Sequence, residues 1–377
     1  DLPAVMINIF ITILIYIGIR ESRNMSNIMV VLKLSIILLV ILVGFFLIQP
    51  ENWLPINELG TKSFMPNGFA GVMAAVSGVF FAYIGFDAIS VFAEESKDPQ
   101  NDLPKGMIYS LIICTVIYII LALILTGTLN YKQFDGIGDP LAYIFEMKGI
   151  YWMQVIVAFV AVIAMTSVLL VFQLGQPRIW MSMSRDGLLP PAFQRIHPKY
   201  KTPSFSSIVT GLLVGIPIFF TDKTFVLDFT SIATLFAFVL VCAGILFIPR
   251  RGESGTHFKL RYINSQFIFP TITVTSIFLI LVFIPNYFSD LIQPVESFTT
   301  YQVSSLLFWL LMIILSVLAY FRKLSLIPLL GVSCCSYLLT GMTASNWAWF
   351  ISWLFLGLLI YFLYGNKHSK LHTERLQ

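Results

Sequence analysis

The stretch Phe80-Phe81-Ala82-Tyr83-Ile84-Gly85-Phe86-Asp87 decides how this chain is read. It lies inside an apolar run, 68–93. A helix crossing the hydrocarbon of a bilayer needs about 20 apolar residues, so this run is long enough. Glycine inside a helix costs roughly 1 kcal/mol relative to alanine. A carboxylate at bilayer depth costs at least about 2.5–3.5 kcal/mol. Gly85 and Asp87 so close together predict a helix that breaks near 82–87. Broken membrane helices expose backbone groups that bind substrates and ions. The competing reading is a tolerated glycine at a helix–helix contact, with Asp87 capping the next turn.

Outward from this stretch, the composition sets the class. Of 377 residues, 58% are hydrophobic and 11% charged. Soluble domains carry about 25% charged residues. A cytosolic enzyme, a nucleic-acid binder and a disordered linker are therefore excluded as readings, and a polytopic membrane protein is expected. Eleven apolar runs qualify as spans: 2–19, 26–48, 68–93, 106–127, 150–175, 204–221, 229–248, 268–285, 301–321, 324–341 and 346–364. The first is no secretory signal, because Arg20 and Arg23 follow the apolar run.

The loops sort by charge. Loops 20–25, 94–105, 176–203, 249–267, 322–323 and the tail 365–377 hold 18 Lys/Arg; the opposite loops hold four, Lys62, Lys132, Lys148 and Lys223. The positive-inside rule makes the first set cytoplasmic. Trp53, Trp152 and Trp347 then fall at the outer interface and Trp180 at the inner one. An odd span count puts the termini on opposite sides, with the C-terminus cytoplasmic. With no initiator Met at Asp1, the expectation is a preceding piece with an odd number of spans.

Within the spans, two ionisable residues stand out, Lys33 and Asp87. Lys33 either snorkels along its stem to the interface or serves as an internal cation in place of a metal ion. The fifth span carries Met165-Thr166-Ser167. These hydroxyls either bond the carbonyl four residues back or serve an ion site. The polar loop with Glu94 and Glu95 is either a solvated turn or a cytoplasmic gate. Arg185 and Asp186, in the basic loop 176–203, join it as gate candidates. Cys114, Cys242, Cys334 and Cys335 sit in apolar runs, which implies no disulfide framework, and no span holds a histidine. No cofactor or metal site is expected. Gly136-Ile137-Gly138 is too short for a nucleotide fingerprint.

Several motifs now stand in order. They are Ser26 to Lys33, Phe80 to Asp87, Ala93-Glu94-Glu95 through Asp102-Leu103-Pro104, Gly175-Gln176-Pro177-Arg178, Ser184-Arg185-Asp186-Gly187-Leu188-Leu189-Pro190, Thr234 to Phe238, and Tyr364 to Ser369. As a set they resemble the amino acid–polyamine–organocation superfamily, in its cationic amino acid transporter branch. The likeness covers about residues 1–250 and the last span. Residues 255–300 depart from the pattern.

The resemblance implies an all-α membrane bundle of two inverted five-helix repeats. Residues 1–48 would be the last two helices of the first repeat, and the family's first three spans would be missing. The second repeat would be complete at 68–248, followed by four peripheral helices at 268–364 and the tail. Backbone acceptors for a substrate ammonium are implied near Phe81, Ala82 and Ile84, at the Gly85–Asp87 break. Phe86 would be an aromatic gate and Met165 a pocket wall. Lys33 matches a lysine that stands where relatives bind sodium, with Thr166 and Ser167 beside it. Proton coupling, or none, would follow.

The function implied is secondary transport of amino acids across the plasma membrane, a bacterial cell membrane, by alternating access, with proton coupling or exchange. The partners would be an amino acid, the lipid bilayer and protons, with no nucleic acid. The alternative is a non-transporting membrane partner, because half the family's substrate site lies in spans this sequence lacks. A membrane enzyme is disfavoured by the shortage of intramembrane acids and histidines.

Overall fold

The computed structural model describes residues 2–18, 23–56, 60–247, 262–293 and 299–370. They form helices, with two isolated bridges and no β-strand among the described residues. Among the described residues, seven helices are long and apolar enough to cross a membrane, and four shorter apolar ones join them: Leu2–Ile17, Ser204–Phe219, Ile268–Phe283 and Leu326–Thr340. Together they fall on the eleven expected runs, one for one.

In chain order the first four are α1 (Leu2–Ile17), α2 (Arg23–Phe45), α3 (Gly68–Val79) and α4 (Pro99–Thr128). Next come α5 (Pro140–Met147), α6 (Tyr151–Arg185), α7 (Ser204–Gly215) and α8 (Lys223–Phe247). The last are α9 (Ile268–Phe283), α10 (Tyr287–Ile292), α11 (Thr300–Arg322), α12 (Leu326–Thr340), α13 (Ala344–Ile360) and the short α14 (Asn366–His368).

Among the differences from the sequence reading, three bear on the packing. First, α6 has 35 residues and passes through Pro177 to Arg185, ten residues beyond the expected end at 175. At 1.5 Å per residue it is about 52 Å long, well beyond a hydrocarbon core of about 30 Å. Pro177 removes one i→i−4 bond, and it sits fully buried within the helix. Second, α5 lies in a segment first read as loop. Its start signal is present: Asp139 is the N-cap, accepting from the Ala142 amide at 3.2 Å, and Pro140 follows. A side-chain cap of this kind is worth about 1 kcal/mol. Third, Asp228 lies inside α8 rather than in a loop.

The chain divides into two compact units. The first comprises Asp1–Phe69, Gly85–Thr221 and Leu359–Gln377; the second comprises Ala70–Ile84 and Asp222–Leu358. In the first unit, Ile144 and Phe145 of α5 are fully buried with Val40, Met153 and Val157. On another face of α6, the Asn8 side chain of α1 donates to the Gly211 carbonyl of α7 at 3.0 Å, and Gln173 donates to the Asn8 side-chain oxygen. Both amides are almost fully buried. Lipid is as apolar as leucine, so helices in a membrane associate through packing and polar contacts of this kind.

In the second unit α8 packs along α12, with Ile232, Leu235, Leu339 and Phe350 inside. A second cluster joins α9, α11 and α12 around Phe269, Ala319 and Leu329. Ser77 donates to the Leu338 carbonyl at 3.1 Å, and Asn346 donates to the Asp228 carboxylate at 3.0 Å. Outside these cores the helices present apolar surface: Phe159 is 66% exposed and Phe355 67%. Contiguous exposure of large apolar residues on this scale marks a surface built for lipid.

Candidate functional site

The local backbone explains the break at Gly85. α3 ends at Val79 and passes into a 3-10 helix, Phe80–Tyr83. The Ile84 amide donates to the Phe81 carbonyl at 3.1 Å, and Ile84 itself is extended, with φ −63° and ψ 132°. Gly85 follows with φ +127°, a conformation residues with a Cβ rarely adopt. The chain then resumes as a 3-10 helix, Phe86–Glu95. Asp87 organises the restart. Its Oδ1 accepts from the Gly85 amide at 3.1 Å, and its carbonyl accepts from the Ser90 hydroxyl at 2.6 Å. The Ala88 amide donates to the Gly85 carbonyl at 3.1 Å. The helix is interrupted at Gly85, where an added Cβ would meet nothing within 4 Å, and the Asp87 carboxylate binds the Gly85 amide.

The chain crosses from the second unit to the first at Ile84–Gly85. In the second unit, Phe81 and Ala82 are exposed and Ile84 is half-buried. In the first, Gly85, Phe86 and Asp87 are half-buried. α6 packs on the Phe86–Glu95 helix within that unit. Met165 of α6 is 65% exposed.

The cation of α2 meets α6. Lys33 Nζ donates to Ser167 Oγ at 2.9 Å, and both residues are half-buried. A hydrogen bond with a charged partner contributes roughly 1.5–3 kcal/mol. The neighbouring Thr166 hydroxyl instead donates to the Val162 carbonyl at 2.8 Å, its own helix four residues back. Of the two hydroxyls, only Ser167 receives the lysine.

The gate candidates lie at the ends of two helices. Glu94 and Glu95 end the Phe86–Glu95 helix, and their side chains lie outside the described residues. Arg185 and Asp186 are exposed at the end of α6. The Asp186 carbonyl accepts from the Lys370 amide at 3.2 Å.

Sequence reasoning missed the amides Asn8, Gln173 and Asn346. Each is uncharged, so sorting by charge passes over it. An amide inside an apolar run was the available signal. No group of His, Cys, Asp or Glu suited to a metal ion occurs among the described residues.

Membrane-length helices, one of them interrupted at a glycine, and a lysine held by a hydroxyl across two helices define a polytopic helical membrane protein. The chain belongs to the amino acid permease family. The family's sequence profile matches residues 2–318, and the profile of its C-terminal part matches 323–369. The match runs through 255–300, where the sequence motifs had given no alignment. The chain is 34% identical to the branched-chain amino acid permease BcaP of Bacillus subtilis over 372 residues, covering 99% of this chain and 65% of that permease. It is 30% identical to the methylthioribose transporter of the same organism, covering 99% of this chain and 66% of the relative. The vacuolar cationic amino acid transporter 4 of Arabidopsis thaliana is 34% identical over 255 residues, 67% of this chain and 42% of the relative.

Proposed function

We propose that this protein carries out secondary transport of amino acids across a cell membrane by alternating access, coupled to protons or run as exchange. The observation that carries this reading is the Lys33–Ser167 hydrogen bond of 2.9 Å. In this reading the Lys33 ammonium takes the place that the resemblance gives to sodium in sodium-coupled relatives, and its bond to Ser167 links α2 to α6.

The break supplies the substrate contacts in this proposal. Carbonyl groups near Phe81, Ala82 and Ile84 accept from the substrate ammonium, and the Gly85–Asp87 turn keeps the helix open. Phe86 closes over the substrate, and Met165 borders its side chain. Glu94, Glu95, Arg185 and Asp186 form the cytoplasmic gate. The family membership and the names of two of the relatives, a branched-chain amino acid permease and a cationic amino acid transporter, support an amino acid substrate.

The test is uptake into proteoliposomes, with each of the twenty amino acids offered in turn, under an imposed pH gradient and under counterflow. Saturable uptake of one or a few amino acids is expected. Absence of uptake of every amino acid under both conditions would overturn the proposal.

A further inference from the structure

Two motifs far apart in the sequence meet in the first unit. One is the turn after α6, Ser184 to Pro190. The other is the segment Gly365–Lys370, reached through a π-helical turn, Tyr361–Gly365. The contact is mostly backbone on backbone. The Lys370 amide donates to the Asp186 carbonyl at 3.2 Å. Gly365 is buried, and a Cβ there would lie 3.2 Å from the Leu188 carbonyl oxygen. Ser369 is 9% exposed, and its amide donates to the Gly365 carbonyl at 2.9 Å.

Gly187 is the residue that admits the segment. Its φ is +83°, and a Cβ placed on it would lie 2.0 Å from the His368 carbonyl oxygen. Backbone atoms cannot yield to such an overlap as a flexible side chain can. The turn is itself well held: the Gly187 amide donates to the Ser184 carbonyl at 3.1 Å, the Leu188 amide to Met183 at 2.9 Å, and the Ser184 hydroxyl to Pro190 at 2.8 Å. The other partner has its own lock, since the His368 ring stacks on Tyr364 at 4.3 Å.

We propose that Gly365–Lys370 is a strap that clamps the end of α6 and sets the turnover of transport, with Gly187 as its positioning residue. The inference rests on the transport reading above. α6 carries Ser167, so a clamp at Arg185–Leu188 holds the end of the same helix that receives Lys33. Alternating access needs one bundle to stay rigid while another moves against it. Release of the strap therefore slows the conformational step and leaves substrate binding unchanged.

Gly187→Val and Gly187→Asn are the test variants. Asparagine tolerates positive φ, so Gly187→Asn retains the turn while adding the Cβ that displaces the strap. Gly136→Asn is the control, a glycine at φ +72° with open space around it. Lys370→Pro is a second route that leaves the turn untouched. It removes the amide bonded to Asp186, and Ser369 at ψ 132° already suits a following proline.

Two readouts are taken on the full protein. Hydrogen exchange at the Ser369 amide should speed up by about tenfold or more in both Gly187 variants and in Lys370→Pro, as local opening becomes easier. Maximal uptake should fall by about fivefold or more, with KM within about twofold of wild type, the pattern of a slowed conformational step. Gly136→Asn should leave both unchanged. Unchanged exchange overturns the docking. Faster exchange with normal or raised uptake overturns the role in turnover. A wild-type protein that takes up no amino acid overturns the transport reading and the turnover claim with it, while the exchange data still decide the docking.

Discussion

Lys33 of α2 and Ser167 of α6 are 134 residues apart, and the lysine ammonium donates to the serine hydroxyl at 2.9 Å. The adjacent Thr166 turns its hydroxyl back to Val162. One hydroxyl of the pair therefore serves the helix and the other serves the cation. Ser167→Ala removes only the acceptor. It should lower maximal uptake by about tenfold or more, as the loss of a charge-assisted hydrogen bond of roughly 1.5–3 kcal/mol implies. Thr166→Ala should change uptake by less than about twofold. Comparable losses in the two variants would show that the Lys33 contact carries no special weight.

Gly85 should tolerate no side chain. Its φ of +127° is the difficulty, since a Cβ would meet nothing within 4 Å. The cost is therefore backbone strain, about 1–3 kcal/mol. Gly85→Ala should straighten the break and raise the substrate dissociation constant, measured by ligand-induced thermal shift. Unchanged affinity would remove the break from the binding site.

Phe86→Ala should weaken occlusion of the substrate. Loss of one aromatic lid raises KM and speeds substrate escape, read by counterflow in proteoliposomes. Unchanged affinity and rate would take Phe86 out of the gate.

The buried amides of α1 and α6 predict a stability pattern. Asn8→Ala leaves the Gln173 amide and the Gly211 carbonyl without their partner, at a cost of roughly 1–3 kcal/mol. The Gln173 Oε1 is already buried without a hydrogen-bond partner. Gln173→Leu removes that orphan and should cost less than Asn8→Ala. In the double variant Asn8→Ala/Gln173→Leu, the loss should be smaller than the sum of the two single losses. Additive losses in thermal unfolding would show that the two amides are not coupled.

Much of this architecture was legible in the sequence because the bilayer imposes a length and a charge rule. The eleven apolar runs each became a helix. The break was readable because Gly85 and Asp87 are both costly at bilayer depth. Lys33 was readable as a cation out of place, but its partner came only through family resemblance, since a serine in an apolar helix bonds its own backbone by default. Other parts gave no signal of that kind. α6 overran its expected end because Pro177 and the polar residues after it look like a loop, yet a proline buried inside a helix is tolerated there. Asp228 reads as a loop residue because it stands just before the apolar run 229–248; in the fold Asn346 partners it. The Gly187–His368 contact joins backbone to backbone, and no side-chain pattern reports it.

The most direct measurement compares wild type with Lys33→Ala in proteoliposomes under an imposed pH gradient. If the cation between α2 and α6 is part of the transport core, wild type takes up its amino acid and Lys33→Ala either fails to transport or loses its response to the gradient. Normal, gradient-dependent uptake by Lys33→Ala would contradict that account.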